Sequence, residues 1–289
     1  MRTMKRRDFL KILAVGLLGS SIATEVLAQT DTLPPTPAHR DDYIKDYLYK
    51  MKHFNGSHKD DIRLSGEEYR VFVATVKRLS KLEQFIGHGN FQYLNFDDGL
   101  FFARKYSQIG EFTKKEVDFL EKTFYTDASR YGFLGKKTSE KITDKINKKD
   151  IIKIPYSGTY LHKGISLKIF NKIKKEIGDD LVLTSGIRGV MKQFLLFLNK
   201  AYKNNGNLSL ASRSLAPPGY SFHGIGDFDV GQTGFGINNF TEGFTNTDVY
   251  RKLLKHGYLT LRYPQGNLIG VRYEPWHIEI SSSTRKSNS

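Results

Sequence analysis

Two short polar segments constrain this chain more than any other part, because the chemistry they suggest requires the fold to bring them together. Ser221-Phe222-His223-Gly224-Ile225-Gly226-Asp227-Phe228-Asp229 sets a histidine and two carboxylates around a Gly-rich bend. Farther along, Glu274-Pro275-Trp276-His277 offers a second histidine with a glutamate three residues before it. Two imidazoles and one carboxylate make a three-ligand zinc site that leaves a fourth position for water. A further carboxylate outside the ligand set can act as general base on that water. A fold that joins the two segments would hold the parts of a metallopeptidase.

Within those segments the residues differ in how much their spacing says. Gly224 and Gly226 permit close backbone approach beside His223. Asp229 falls on an expected strand, and side chains alternate along a strand, so Asp227 and Asp229 face the same side. Spacing alone does not choose between them as ligand. Glu274 and His277 would point to opposite faces of an extended strand. Both reach one ion only if Pro275 breaks the strand or the glutamate approaches from a bend.

Rival chemistries fare worse. The chain has no His-Glu-x-x-His helix. Gly219-Tyr220-Ser221-Phe222-His223 nearly copies a nucleophile elbow, but a histidine stands where the last glycine belongs. The only Ser-x-x-Lys, Ser283-Thr284-Arg285-Lys286, lies in an expected disordered tail. Cysteine is absent, which excludes disulfides, thiolate ligands and a Cys nucleophile. Any metal must be held by His, Asp or Glu.

The N-terminus reads as an export signal. Lys5-Arg6-Arg7-Asp8-Phe9-Leu10-Lys11 contains a twin-arginine pair, an apolar stretch runs from Ile12 to Ile22, and Val26-Leu27-Ala28 supplies small-residue cleavage chemistry. The apolar run is shorter than the ~20 residues a bilayer span takes. Residues 1–28 are therefore expected to be a Tat-type signal, placing the remainder in the periplasm or cell wall. The formal charge is +15, and residues 1–28 carry five basic and two acidic side chains, so +12 stays with the rest. Such a balance favours polyanionic surroundings. Export argues against nucleic acid and for an anionic cell-wall surface.

Residues 29–40, with Pro34, Pro35 and Pro37, read as an extended linker. From Asp41 to Phe133 the pattern is helical. Ser65-Gly66-Glu67-Glu68 and Thr113-Lys114-Lys115-Glu116 each fit a capping box, and Asn95-Phe96-Asp97-Asp98 opens a further helix. Beyond a Lys-rich stretch, helices are expected over Ser166–Ile177 and Val190–Tyr202, with a strand at Asp180–Thr184 and a loop over 203–220. Leu259–Tyr263 and Ile269–Tyr273, the latter running on to Ile280, read as strands about the Pro264-Gln265-Gly266-Asn267 turn. Helices followed by a helix–strand mixture indicate an α+β fold. The expected division is a mainly helical region over 41–160, a catalytic domain over 161–283 and a disordered tail over 284–289.

A series of blocks then narrows the reading. Thr184-Ser185-Gly186-Ile187-Arg188, Gln193, Ala216-Pro217-Pro218-Gly219-Tyr220-Ser221-Phe222-His223, Leu261-Arg262-Tyr263-Pro264 and Tyr273-Glu274-Pro275-Trp276-His277 occur in one order. The series resembles the zinc D-alanyl-D-alanine carboxypeptidases of the vancomycin-resistance type, within the M15 peptidases. It covers roughly residues 180–280, and residues 41–160 show no counterpart. The resemblance implies a small antiparallel-sheet zinc peptidase domain flanked by helices, acting on peptidoglycan stem peptides. It implies Zn2+ held by His223, Asp229 and His277, with Glu274 as catalytic base. Arg188 would meet the substrate, either at the developing charge or at a terminal carboxylate, and Ser221, Gln193 and Tyr263 would also bind substrate. The family usually places its aspartate seven residues after the first histidine, whereas Asp229 follows His223 by six. The Asp229-Val230-Gly231 ending favours Asp229 over Asp227. Alternatives are an L,D-carboxypeptidase, an endopeptidase of peptidoglycan crosslinks, or a wall-binding protein with a structural zinc site.

Overall fold

In the computed structural model, backbone is described for residues 37–280 and side chains from Asp42 onward; the expected signal and tail lie outside these residues. Everything below belongs to the unit that begins at Asp42, apart from the first residues of one helix. That helix, α1 (Pro37–Lys52), starts inside the expected linker, with Pro37 at the first helical position, where its missing N–H costs nothing.

Four more helices follow: α2 (Gly66–Ile86), the short α3 (His88–Phe91), α4 (Phe96–Lys105) and α5 (Lys114–Tyr125). The Thr113 capping box forms in both directions, and the Asn95 side chain accepts from the Asp98 N–H. The Ser65 box does not form. Gly66 sits at φ 56°, the Ser65 side chain makes no cap bond, and the two glutamates turn to α5 instead. Glu67 pairs with Lys115, and Glu68 accepts from Lys122 at 2.7 Å.

The apolar stripe of α2 (Phe72, Val76, Leu79, Leu82) packs with Phe119, Leu120 and Phe124 of α5. The same core takes in Met191, Phe194, Phe197 and Leu198 of α7 (Val190–Tyr202), and Leu208 and Ala211 of α8 (Leu208–Ser212). The expected boundary near residue 160 therefore does not divide the hydrophobic core. Fully buried phenylalanines such as Phe194 and Phe197 each contribute about 1.5–3 kcal/mol by burial.

A second core lies around a three-stranded antiparallel sheet with β4 in the centre: β3 (Leu181–Ser185), β4 (Phe228–Gln232) and β5 (His277–Ile278). Phe170, Ile173 and Ile177 of α6 (Ile165–Ile177) and Val249 and Leu253 of α9 (Asp248–Lys255) cover it. A separate two-stranded ribbon pairs β1 (Ile151–Lys153) with β2 (Tyr160–His162). The chain is α+β, with helices flanking small antiparallel sheets. No described helix is long and apolar enough to cross a membrane.

The expected hairpin over 259–280 forms only in part, with Glu274 N–H donating to Tyr263 O and Glu279 N–H to Thr260 O. Leu261 makes an isolated bridge to Ile278, and no ladder joins 259–263 to 269–273. The backbone of the second segment finds other partners: Ile269 O accepts from Leu134 N–H at 2.7 Å, and Arg272 N–H donates to Arg213 O at 2.9 Å. The Asn267 side chain closes the intervening turn by donating to Pro264 O and Val271 O. The 203–220 loop likewise contains α8, capped by Asn207.

The N-terminal part is stapled to α8 by a buried ion pair. Arg213 Nη1 lies 2.7 Å from Asp61 Oδ1, and Arg213 also donates to the carbonyls of Phe54 and Gly56. Burial alone would raise the Asp61 carboxyl, but Arg213, Asn207 and the His58 N–H hold it at about 2.

Candidate metal centre

Alternation along β4 sends Phe228 and Val230 into the sheet core and leaves Asp229 on the other face. In register, Asp229 stands opposite Ser185 of β3 and His277 of β5. His223 arrives from a single 3-10 turn, Phe222–Gly224. The Glu274–His277 stretch is a turn, with His277 N–H donating to Glu274 O at 3.2 Å, which resolves the opposite-face problem that an extended strand would pose.

Among the described residues, His223, Asp229 and His277 bring their ligand atoms within 4.8 Å of one another, and all three are buried. His223 Nδ1 is 2.7 Å from Gly186 O. A carbonyl only accepts, so Nδ1 carries hydrogen and Nε2 keeps its lone pair facing inward. His277 Nε2 donates to Asp227 Oδ2 at 3.1 Å, which turns Nδ1 toward Asp229 Oδ1 at 3.2 Å. Asp227 is itself held by Arg262 Nε at 2.9 Å and by the Ile280 N–H at 2.8 Å. It thus sits behind His277, on the far side of the ring from Asp229.

Glu274 Oε2 lies 3.4 Å from His277 Nδ1, and the carboxylate is mostly buried. The Tyr263 ring stacks edge-on 5.0 Å from the His277 ring. Arg188 extends from the loop after β3. Its Nη2 donates to Ser185 Oγ at 3.0 Å and to His223 Nε2 at 3.1 Å, and lies 3.6 Å from Asp229 Oδ2.

These contacts move each group from its ordinary basicity. Burial works to raise the Asp229 carboxyl, but His223 and His277 hold it far below the ordinary range. Burial opposes protonation of His277, yet Asp227, Asp229 and Glu274 raise it well above an ordinary imidazole. Burial and the Arg188 guanidinium lower His223. Burial and the Glu274 carboxylate raise Tyr263, so its phenol stays protonated.

His223, Asp229, His277, Glu274, Arg188, Ser221 and Tyr263 all line one cavity of about 390 Å³. Gln193 does not. It lines an adjoining cavity of about 130 Å³, which Arg188 and Ser221 also border, and its amide donates to Ala216 O. The N-terminal helices supply part of the main wall through His88 and Gln92.

Other cavity residues carry no sequence motif. Lys192, Leu196 and Lys200 line it at i, i+4, i+8 along α7, and Ser214 and Arg272 join them. A lysine row at that spacing reads in the sequence as a solvated helix face; only the packing of the opposite face shows otherwise.

Residues 160–282 match the family model described as VanY, D-alanyl-D-alanine carboxypeptidase. The C-terminal segment is VanY-like. No curated protein matches the chain. Two solved structures are similar to it. One is the LdcB LD-carboxypeptidase, described in terms of peptidoglycan recognition, at 24% identity over 49% of this chain and 73% of that one, TM-score 0.39. The other is a variant of the vancomycin-resistance D,D-pentapeptidase VanY from a VanB-type cassette in complex with Zn(II), at 25% identity over 47% and 82%, TM-score 0.36. The VanY-like span takes in β2 through β5 and so every residue of the metal-capable group, while His88 and Gln92 lie outside it.

The donor set of the VanY-like segment fits a zinc ion. Asp229 Oδ1 is buried without a hydrogen-bond partner among the described residues. Each imidazole has one nitrogen fixed from behind and the other facing the group. Four-coordinate zinc with bonds of about 2.0–2.1 Å sets ligand atoms about 3.3 Å apart. His223 Nε2 and Asp229 Oδ2 are 3.4 Å apart, and His277 Nδ1 and Asp229 Oδ1 are 3.2 Å apart. The Arg188 guanidinium lies against two of these atoms, His223 Nε2 and Asp229 Oδ2, a second sign that this corner favours a cation.

Proposed function

We propose that this protein is an exported zinc peptidase that hydrolyses D-Ala-D-Ala or neighbouring bonds in peptidoglycan stem peptides. The observation that carries the reading is the convergence of His223, Asp229 and His277 beside an additional carboxylate, Glu274, in one cavity. The match of residues 160–282 to the D-alanyl-D-alanine carboxypeptidase model supports the bond and substrate class. Export rests on the twin-arginine sequence at Arg6-Arg7, outside the described residues.

His223 Nε2, Asp229 and His277 Nδ1 would hold the metal. A zinc ion bound there supplies Lewis acidity toward a carbonyl oxygen and makes water acidic enough to attack near neutral pH. The chain's own groups do the rest. Glu274 accepts the proton of the attacking water and returns it to the departing amine. Asp227 keeps His277 in one tautomer and orientation. Arg188, fixed by Ser185, presents a guanidinium to the developing oxyanion or to the terminal carboxylate. The protonated Tyr263 phenol is a neutral hydrogen-bond donor at the same wall.

The test is incubation of the protein with defined muropeptides, with and without a chelator, and mass measurement of the products. Loss of one terminal D-alanine, abolished by chelation and restored by zinc, is the expected result. Loss of D-alanine from a tetrapeptide or opening of a crosslink would change the bond assignment. Saturable sacculus binding without any cleavage would leave a wall-binding role and end the peptidase reading.

A further inference from the structure

The metal-capable group occupies one part of the cavity, and the remaining wall is cationic. Arg188, Lys192, Lys200 and Arg272 line the cavity against two carboxylates, Asp229 and Glu274. Three of the cations are accounted for differently. Arg188 belongs to the metal corner, and Lys192 is neutralised by Glu83 at 2.6 Å. Lys200 donates only to a neutral group, Asn55 Oδ1, at 2.9 Å.

The Arg272 guanidinium carbon lies over two rings, 4.5 Å from the centre of Phe54 and 4.7 Å from that of Trp276. One of its nitrogens donates to Phe240 O at 2.8 Å, while its Nε is buried without a partner. Among the described residues, neither Lys200 nor Arg272 has a carboxylate within ion-pair distance. Their partners Phe54 and Asn55 are adjacent in the chain, so one loop of the N-terminal region brackets both cations. Ser214 completes the wall. It is 8% exposed, and its hydroxyl also lacks a partner.

Unpaired buried polar atoms are costly, and two of them line the same cavity as two cations that have no ion-pair partner among the described residues, although Glu274, Glu242 and Asp229 act on Arg272 from farther away. An incoming carboxylate satisfies such a wall. We propose that Lys200, Arg272 and Ser214 form an anionic subsite for a second free carboxylate on the peptide substrate. This inference rests on the peptidase reading and adds to it a substrate class: stem peptides whose diamino acid keeps its side-chain carboxylate free rather than amidated. Phe54 and Trp276 hold the guanidinium in place without consuming its charge. Burial and the Arg272 charge lower the basicity of Lys200, consistent with two like charges facing one space.

The test uses two synthetic pentapeptides ending in D-Ala-D-Ala, identical except that the diamino diacid at the third position is free in one and amidated in the other. Calorimetric binding to the zinc-loaded Glu274→Gln protein is measured beside cleavage by the wild type. The free-carboxylate peptide is expected to bind about tenfold or more tightly, with a ratio that shrinks as salt rises. Arg272→Met and Lys200→Met, checked for folding by thermal unfolding, should each bring the ratio toward one. Equal binding of two peptides that are both cleaved, or an unchanged ratio in both variants, overturns the subsite and leaves the peptidase standing. Discrimination without cleavage keeps the subsite and removes the peptidase. Peptides neither bound nor cleaved remove both.

Discussion

Asp227 and His277 share a hydrogen bond of 3.1 Å, made from the ring nitrogen opposite the one that faces Asp229. Two aspartates two residues apart thus take the two sides of one imidazole. The first fixes the ring and the second stands with it as a prospective ligand. Removing the outer carboxylate should loosen the ring without deleting a ligand. Asp227→Asn is expected to weaken zinc binding about 10–100-fold, measured by competition with a chromophoric chelator. Asp229→Asn should cost more, because it strips the negative charge from a prospective ligand itself.

Glu274 separates binding from turnover. Glu274→Gln keeps the shape of the turn and of the His277 N–H bond to its carbonyl, since both depend on the backbone. The variant is expected to retain one zinc per chain by elemental analysis while peptide cleavage falls about 10²–10⁴-fold or further. Wild-type turnover in this variant would remove Glu274 from the proton-transfer role.

Gly186 anchors the other imidazole. Its carbonyl accepts from His223 Nδ1, and a Cβ at this position would collide with the Tyr160 carbonyl oxygen of β2. Gly186→Ala should therefore destabilise the fold by about 1–3 kcal/mol in denaturant melts. It should also weaken zinc binding, because the shifted carbonyl no longer fixes His223. Normal affinity in a folded variant would show that the ring is held by other means.

The Asp61–Arg213 staple predicts a pH dependence of stability. The Asp61 carboxyl sits at about 2 in the fold, against about 3.9 in an unfolded chain. A depressed carboxylate contributes fully above the unfolded value and loses its contribution as pH falls toward 2. The expected loss is about 1–2 kcal/mol after allowance for solvent screening. Urea midpoints between pH 6 and pH 2.5 should fall more steeply for wild type than for Asp61→Asn. Arg213→Ala should cost about 3–5 kcal/mol near neutral pH, because it strands a buried carboxylate.

Residues with local grammar were the legible ones. The helix Val190–Tyr202 and the Thr113 box depend on spacing and caps within a few residues, and both appear where periodicity and capping chemistry put them. The Ser65 box does not form where Gly66 takes φ 56° and Glu68 bonds Lys122 of another helix, neither of which the local pattern reveals. The hairpin after Tyr258 formed only in part, because the backbone of 269–273 bonds to residues 134 and 213, which no local pattern reveals. In the site, His223, Asp229, His277 and Glu274 stood out as chemistry-bearing types in short motifs. Lys200 and Arg272 did not, because a lysine on a helix and an arginine near a turn look solvated until the facing surface is known. Gln193 belonged to the recognised blocks, yet it faces the neighbouring cavity.

Helix α7 turns Phe194, Phe197 and Leu198 toward the helical core and Lys192, Leu196 and Lys200 toward the cavity. The VanY-like span is consequently not portable. Excised at residues 160 and 282, it would carry a bare aromatic flank into water and leave behind the loop that clasps two of its cations. Divergence among such proteins is then expected to be paired, with a change in the helical cap answered by a change in which peptides are accepted, since a single rod transmits both.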